Sequence, residues 1–488
     1  MSVVRSRRFL GAALMVMALT ACGSQLDPSE VARINGTVGP DDQAGAPGAP
    51  VSDPGAVDPG SSGGGAPGVA GGAEPGGATP GSTGGGPGGS AGGSTGEGSA
   101  TGGVKAGSCA GFTNQKGITD KTITLANVAD ISGPVPGIFE SAQQATRAYV
   151  EYFNSQGTVC GRKLEVSNLD SRADAGADQQ AYVKACDTAF AAVGSMSAFD
   201  SGGAGTADTC GIPDIRSVIV SPERQACRSC VAAYAIRTNL IPDPAAKWFM
   251  QKHPAGAKNA AVLYVNAGAA PVNAKSLAAG YEKSAGWNVK YLQGIDVAEF
   301  NFAPYVQQMK EKGVRSVVYY GPYQNTVKLQ QAMQQQGFKP DFYLQDPTIY
   351  DRRYVEQAGS VAESSYVFSP NDLFENKANA EVQLYLSWLQ QVKPGAVPNY
   401  FGLFAWSAAR LFVEKAIALG GRLTRSALVA ALKRTTSWTG NGVHTAMNIA
   451  TSNTPPCLKV IQFRSGSWSQ VSPGNYMCGR VVNTGIGG

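Results

Sequence analysis

Two histidines in 488 residues narrow the chemistry this chain could perform. Acyl transfer or hydrolysis needs a nucleophile within reach of a base, and a Ser-His-Asp arrangement could draw its base only from His253 or His444. His253 sits in Lys252-His253-Pro254, which reads as a helix end, and His444 in a Gly-rich turn, so both read as surface residues. Dinucleotide chemistry needs Gly-x-Gly-x-x-Gly at the first strand-to-helix turn, where backbone must approach the pyrophosphate. The chain has Ala129-Asp-Ile-Ser-Gly-Pro134 there. Gly202-Gly-Ala-Gly205 follows a later strand and reads as a flexible loop over a cleft. No catalytic residue, cofactor or metal is assigned, and the chain is not expected to be an enzyme.

Cysteine is the other reactive type, with nine copies. Cys22 closes an N-terminal segment with a basic patch (Arg5, Arg7, Arg8), an apolar run from Phe9 to Leu19, and Leu19-Thr20-Ala21-Cys22. This is the order of a secretory signal, and the apolar run is too short to span a bilayer. The tetrapeptide resembles the bacterial lipobox, which implies a signal peptide over residues 1–21 and acylation (palmitate) of Cys22. Several acyl chains on one residue hold a protein at a membrane where one does not. Ser6-Arg7-Arg8-Phe9-Leu10 partly resembles a twin-arginine signal, although the general secretion route fits its spacing better. Eight cysteines remain, an even number in an exported chain, so disulfides are expected. The sequence cannot fix their pairing. The preferred set is Cys109 with Cys160, Cys186 with Cys210, Cys227 with Cys230, and Cys457 with Cys478. Cys227-x-x-Cys230 could instead be half of a zinc site or a redox motif, but zinc would need two more close ligands, and neither histidine lies near another ligand pair.

From about Pro40 to Gly107 the chain is almost entirely Gly, Ala, Ser, Pro and Thr, without an aromatic residue. Such a segment cannot bury enough apolar surface to offset ordering entropy. Treated as a flexible coil it spans roughly 40–50 Å, which suits a stalk, and residues 22–107 are expected as a lipidated linker. The remainder exceeds the size of one core, so two lobes are expected. Net charge is a modest +5, and no basic stripe points to nucleic acid.

Candidate site residues need elements to hold them, and the mature chain alternates strands with helices. Ile123–Val128 is a short apolar run with β-branched residues, followed by the loop Ile131-Ser-Gly-Pro134 and a helical pattern from about Phe139 to Gln156, stopped by Gly157. Lys163–Ser167 reads as a strand and Ala177–Phe190 as a helix. Further strands are expected at Ser217–Val220, Ala260–Val265, Val289–Gln293 and Ser316–Tyr320, with helices around Leu277 and over Thr326–Gln336. This alternation indicates βαβ units and a parallel sheet, and such sheets place ligands beyond the carboxyl ends of their strands.

Six pieces in sequence resemble the type I periplasmic binding proteins, above all the leucine/isoleucine/valine-binding group that serves ABC importers. They are Ile131-Ser-Gly-Pro134, Val193-Gly-Ser-Met-Ser197, Ser221-Pro222, Ile236-Arg-Thr238, Val317-Val-Tyr-Tyr-Gly-Pro-Tyr323, and Ala405-Trp-Ser-Ala-Ala409 within the helix Phe401–Ala418. The resemblance implies an α/β fold of two doubly wound parallel-sheet lobes joined by three crossovers, with a ligand cleft between them. One lobe would comprise residues 118–238 and 370–439, the other 239–369 and 440–488.

The resemblance also implies site residues. Hydroxyls and backbone N–H groups after strand three would hold a ligand carboxylate, and a carboxylate with aromatic rings in the other lobe would receive an ammonium. Ser197, Phe199 and Asp200 occupy the first position, with Ser221 on the same side, although Ala198 stands where the family often has a second hydroxyl. Asp200 would disfavour an anionic ligand if it faced the cleft. Tyr323 matches an aromatic cleft position, Asp346 falls about one position from the family's ammonium-binding acid, and Phe139 and Tyr350 are candidate aromatic walls. The expected protein is a monomeric lipoprotein on the outer face of the bacterial cytoplasmic membrane. It would capture a small solute, an amino acid or amide, for an ABC permease. A ligand-sensing co-receptor on the same fold is the alternative.

Overall fold

The structure, a computed structural model, describes residues 103–487. The expected signal peptide, Cys22 and the linker through residue 102 lie outside the described residues. Five strands come first: β1 (Thr122–Ala129), β2 (Lys163–Asp170), β3 (Ala191–Val193), β4 (Asp214–Ile219) and β5 (Cys230–Ala235). They form one parallel sheet in the order β2-β1-β3-β4-β5. Strands β3, β4 and β5 are buried along their whole length, as expected of a parallel sheet covered by helices on both faces.

After the short β6 (Leu240–Pro242), the second sheet begins with β7 (Ala260–Val265), β8 (Val289–Ile295), β9 (Ser316–Tyr320), β10 (Phe342–Gln345) and β11 (Ser365–Ser369). Its parallel part runs β8-β7-β9-β10-β11, so the order second-first-third-fourth-fifth occurs in both lobes. Strands β12 (Cys457–Arg464) and β13 (Ser467–Gln470) extend it antiparallel, and β14 (Met477–Cys478) pairs with β12. The last strand, β15 (Val481–Asn483), runs antiparallel to β6.

The core of the first lobe is organised by helix Tyr400–Leu419, buried from Tyr400 to Val413. Asn399 caps it by accepting the Gly402 N–H, as short polar side chains do at helix starts. Trp406 lies edge-on to Tyr149 of helix Glu140–Gln156, and its Nε1 donates to Glu381 at 2.7 Å. Arg410 closes an ion pair with that carboxylate at 2.8 Å. Val443, Met447 and Ile449 belong to the same core. Residues 440–450, expected in the second lobe, therefore pack with the first.

All four disulfides of the preferred set are present. Among the described residues no helix is long and apolar enough to cross a membrane.

Candidate functional site

In a doubly wound sheet the strand order reverses beside the first strand, and the loops leaving the carboxyl ends there diverge to leave a crevice. Both sheets of this chain turn that edge towards one cavity of about 250 Å³. From the first lobe its wall takes Asp130 after β1, Ala198 and Phe199 after β3, and Ile236 after β5. From the second it takes Ala267 after β7, Gly321 and Pro322 after β9, and Asp346 to Thr348 after β10. Most of the lining is apolar, including Phe139, Met196, Val220, Ile241, Leu277 and Phe401.

Polar groups are few, and their placement follows from local structure. Strand β10 stops at Gln345, and Asp346 caps a short 3-10 turn, Pro347–Ile349, by accepting the Thr348 N–H at 3.0 Å. The Thr348 hydroxyl donates a short hydrogen bond to the same oxygen, Oδ1. Burial pushes the Asp346 carboxyl up to about 6, against the two Thr348 hydrogen bonds that lower it. Tyr234, Tyr281, Tyr320 and Tyr400 line the same cavity. Burial raises all four phenols above their ordinary value, and the Asp346 charge raises Tyr234, Tyr320 and Tyr400 further. On the first-lobe side, Asp130 is fully enclosed. Its Oδ2 accepts the Ala198 N–H at 2.8 Å, and its Oδ1 accepts the Ala173 N–H at 3.1 Å and the Ser171 hydroxyl.

The expected site residues divide sharply. Phe139, Phe199 and Asp346 line the cavity. Tyr323 sits at a small adjoining recess with Thr348, Arg353 and Phe401, its ring 5.6 Å from the Arg353 guanidinium. Ser197, Asp200, Ser221 and Tyr350 are not in the wall. The Ser197 hydroxyl accepts the Phe199 N–H, and Ser221 caps helix Pro222–Ala226 by accepting the Arg224 N–H and also bonds the Asp200 carboxylate, so both hydroxyls are engaged within the lobe. Asp200 faces neither cleft nor solvent: its carboxylate accepts the Val220 N–H at 3.1 Å and lies 3.8 Å from Arg216 inside the lobe. Tyr350 stacks on Phe374 and donates to Glu375, within the second lobe's core.

Two further expectations are corrected. His444 is buried rather than superficial: Phe404 stacks on its ring, Nε2 lies 2.8 Å from the Ser407 hydroxyl, and Nδ1 lies 2.8 Å from the Thr445 carbonyl. Burial drives its pKa down to about 4. Neither it nor His253 lies in the cavity wall. Gly202 and Gly203 do not form a loose flap. A Cβ on Gly202 would meet the Ala175 carbonyl at 2.0 Å, and one on Gly203 the Tyr182 ring at 2.4 Å. Their lack of side chain serves close packing against helix Ala175–Thr188.

Asp130, Tyr234, Tyr281, Tyr320 and Tyr400 were not singled out from sequence. Asp130, Tyr234 and Tyr320 lie at or next to the carboxyl end of a parallel strand, the position where the topological rule looks for ligand contacts. Tyr281 and Tyr400 are on helices and carry no such mark.

The sequence model of the periplasmic binding protein family matches residues 122–467. No curated protein matches the chain by sequence. Among solved structures, the chain is similar to the fatty acid ABC transporter substrate-binding protein from Thermomonospora curvata, with 16% identity, a TM-score of 0.65, and coverage of 74% of this chain and 94% of that one. It is similar to an R. palustris solute-binding protein in complex with 4-hydroxybenzoate, with 17% identity, a TM-score of 0.63, and coverage of 74% and 98%. The branched-chain amino acid transporter substrate-binding protein LivJ from Streptococcus pneumoniae, in complex with isoleucine, matches with 17% identity, a TM-score of 0.61, and coverage of 72% and 100%.

Proposed function

The chain belongs to the periplasmic binding protein family, and on that premise we propose that it is a lipid-anchored receptor for a small, largely apolar solute bearing an amino or amide group, delivered to an ABC permease. The observation that carries this reading is the apolar cavity of about 250 Å³ where the carboxyl ends of both parallel sheets meet. A cavity of that size and lining fits a small organic molecule with a few fixed polar contacts. Closure of two lobes over the solute converts binding into a shape that a membrane partner can read. Cys22 and the Gly-, Ser- and Pro-rich stretch after it supply the anchor and tether in this reading.

A thermal-shift screen of the mature protein against amines, amides, amino acids, aromatic acids, short peptides and sugars tests it. A solute at 100 times its dissociation constant stabilises the folded state by roughly 2.7 kcal/mol. A flat response across the library would sink the receptor reading. In cells, Cys22→Ser is expected to shift the protein from the membrane fraction to the soluble one, and unchanged fractionation would remove the lipid anchor from the proposal.

A further inference from the structure

Helix Tyr400–Leu419 connects two ends of the first lobe. Tyr400 and Phe401 stand in the cavity wall. At the far end of its 20 residues, roughly 20–30 Å on, Lys415, Ala418 and Leu419 line a separate open concavity of about 530 Å³. Arg422, Arg434, Thr436 and Ser437 supply its polar rim, and no aspartate or glutamate lines it. Arg422 and Arg434 are exposed, and Lys415 is half-buried. Other cations nearby in the chain are committed within the lobe: Arg425 donates to the Cys186, Ala189 and Phe190 carbonyls, and Lys433 to the Cys230 carbonyl. Lys415, Arg422 and Arg434 have no ion-pair or hydrogen-bond partner among the described residues, and Glu414 turns to Arg410 at 3.1 Å. Burial and the Arg434 charge lower the Lys415 ammonium, with the Glu414 charge opposing them. The concavity gathers like charges whose counter-charge the fold does not supply.

The chain enters the lobe at the same end. The Gly107 N–H donates to the Ile417 carbonyl at 2.9 Å, and the Gly421 N–H to the Ser108 carbonyl at 2.7 Å. The junction therefore lies between Ile417 and Gly421, beside Ala418, Leu419 and Arg422 of the concavity. Lys105, exposed, stands two residues ahead of it. A chain held at a bilayer by Cys22 joins the fold at this end and not at the cavity.

We propose that this end of the first lobe is a membrane-resting surface, on which Lys415, Arg422 and Arg434, with Lys105 beside them, bind the phosphates of anionic phospholipid headgroups. This rests on the lipid-anchored reading above. Guanidinium forks match phosphate oxygens two at a time, and each cation close to an anionic bilayer strengthens partition by about fivefold. The cavity, at the other end of helix Tyr400–Leu419, stays open to solutes while the lobe rests.

The test is flotation of the full mature chain carrying Cys22→Ser, which has no acyl chain, with vesicles of phosphatidylglycerol and phosphatidylcholine or of phosphatidylcholine alone. The protein is expected to float with the mixed vesicles and to bind the neutral ones at least about tenfold more weakly. Equal binding to both, or binding to neither, overturns the proposal. Binding to poly(glycerol phosphate) chains as tight as to the mixed vesicles at equal phosphate would make the partner a wall polymer, and overturns it as well. The anchor is tested separately in cells. A wash in about 1 M salt, where the screening length falls to about 3 Å, releases protein held by this surface and leaves an acylated protein in place. Flotation decides the surface whatever the fractionation of Cys22→Ser shows.

Two pairs of substitutions in the same Cys22→Ser chain locate the contact, each checked for an unchanged melting transition. Arg422→Gln with Arg434→Gln, at two exposed positions, should lower partition to the mixed vesicles by about 25-fold. Lys258→Gln with Lys339→Gln removes the same charge from exposed positions of the second lobe, and should change partition by less than about twofold. A loss as large in the second pair as in the first would mean that net charge, and not this surface, draws the protein to the vesicles, and overturns the assignment.

Discussion

Arg224 is the residue on which the inner face of the first lobe depends. Its Nη1 reaches Asp214 at 2.9 Å, its Nη2 reaches Asp178 at 3.0 Å, and its Nε donates to the Asp200 carbonyl at 2.8 Å, all out of contact with water. Removing one partner of a buried ion pair strands the others, which costs about 3–5 kcal/mol. Arg224→Ala should therefore lower stability by that order in denaturant unfolding, and a loss under 1 kcal/mol would show that water already reaches the cluster. The same cluster explains a misreading. Asp200 stands in the loop where a ligand contact was expected, but Arg216 lies 3.8 Å from its carboxylate and Arg224 takes its backbone carbonyl, and a sequence does not show which acid a distant guanidinium will choose. Ser197 and Ser221 failed for a local reason, since short hydroxyl side chains bond readily to backbone two or three residues on. Asp346 was placed by the resemblance alone, about one position from the family's ammonium-binding acid, and the capped turn that sets it in the cavity wall went unread.

Elements were easier to read than contacts. Ala260–Val265 and Ser316–Tyr320 match their expected bounds, because strands buried on both faces show as unbroken apolar runs whatever packs on them. Strand β4 begins at Asp214, three residues before its expected start. Asp214 and Arg216 interrupt the apolar run, and only their mutual burial makes them strand residues. The Gly202–Gly205 stretch failed for a related reason: glycine signals either a loose loop or a tight contact, and helix Ala175–Thr188 decides which. Gly203→Ala would push a methyl into the Tyr182 ring and to 2.9 Å from an Arg224 nitrogen. Overpacking of this kind costs about 1–3 kcal/mol, measurable as a lower melting temperature. An unchanged melting temperature would mean that helix Ala204–Cys210 can slide outward at no cost.

Across the whole molecule, three buried acids sit in especially unfavourable places. Burial lifts Asp178 and Asp346 to about 6 and Glu414 to about 7. Each folded value lies above the unfolded one, so the stability each contributes is present in acid and is lost as pH rises through about 6 to 7. His444 opposes them, since its depressed value makes it favour the folded state above about pH 6.5 and lose that contribution on acidification. His253, also lowered by burial, acts in the same direction as His444, but the three raised carboxyls outweigh the two imidazoles in this window, and melting temperature should rise by roughly 2 °C from about pH 8 to about pH 5.5. A fall over that range would mean that water relieves the buried carboxyls. The way the chain enters the folded part has a mechanical consequence. The Gly107 N–H donates to the Ile417 carbonyl, the Ser108 carbonyl accepts the Gly421 N–H, and Cys109 is bonded to Cys160. A pull on the chain ahead of Gly107 would first load two hydrogen bonds and then a covalent link two residues further on. The tension would end at the edge of the first lobe, before it reached β1 or the loops around the cavity, so under the proposed tethered reading the cavity would keep its shape while the chain ahead of it is pulled.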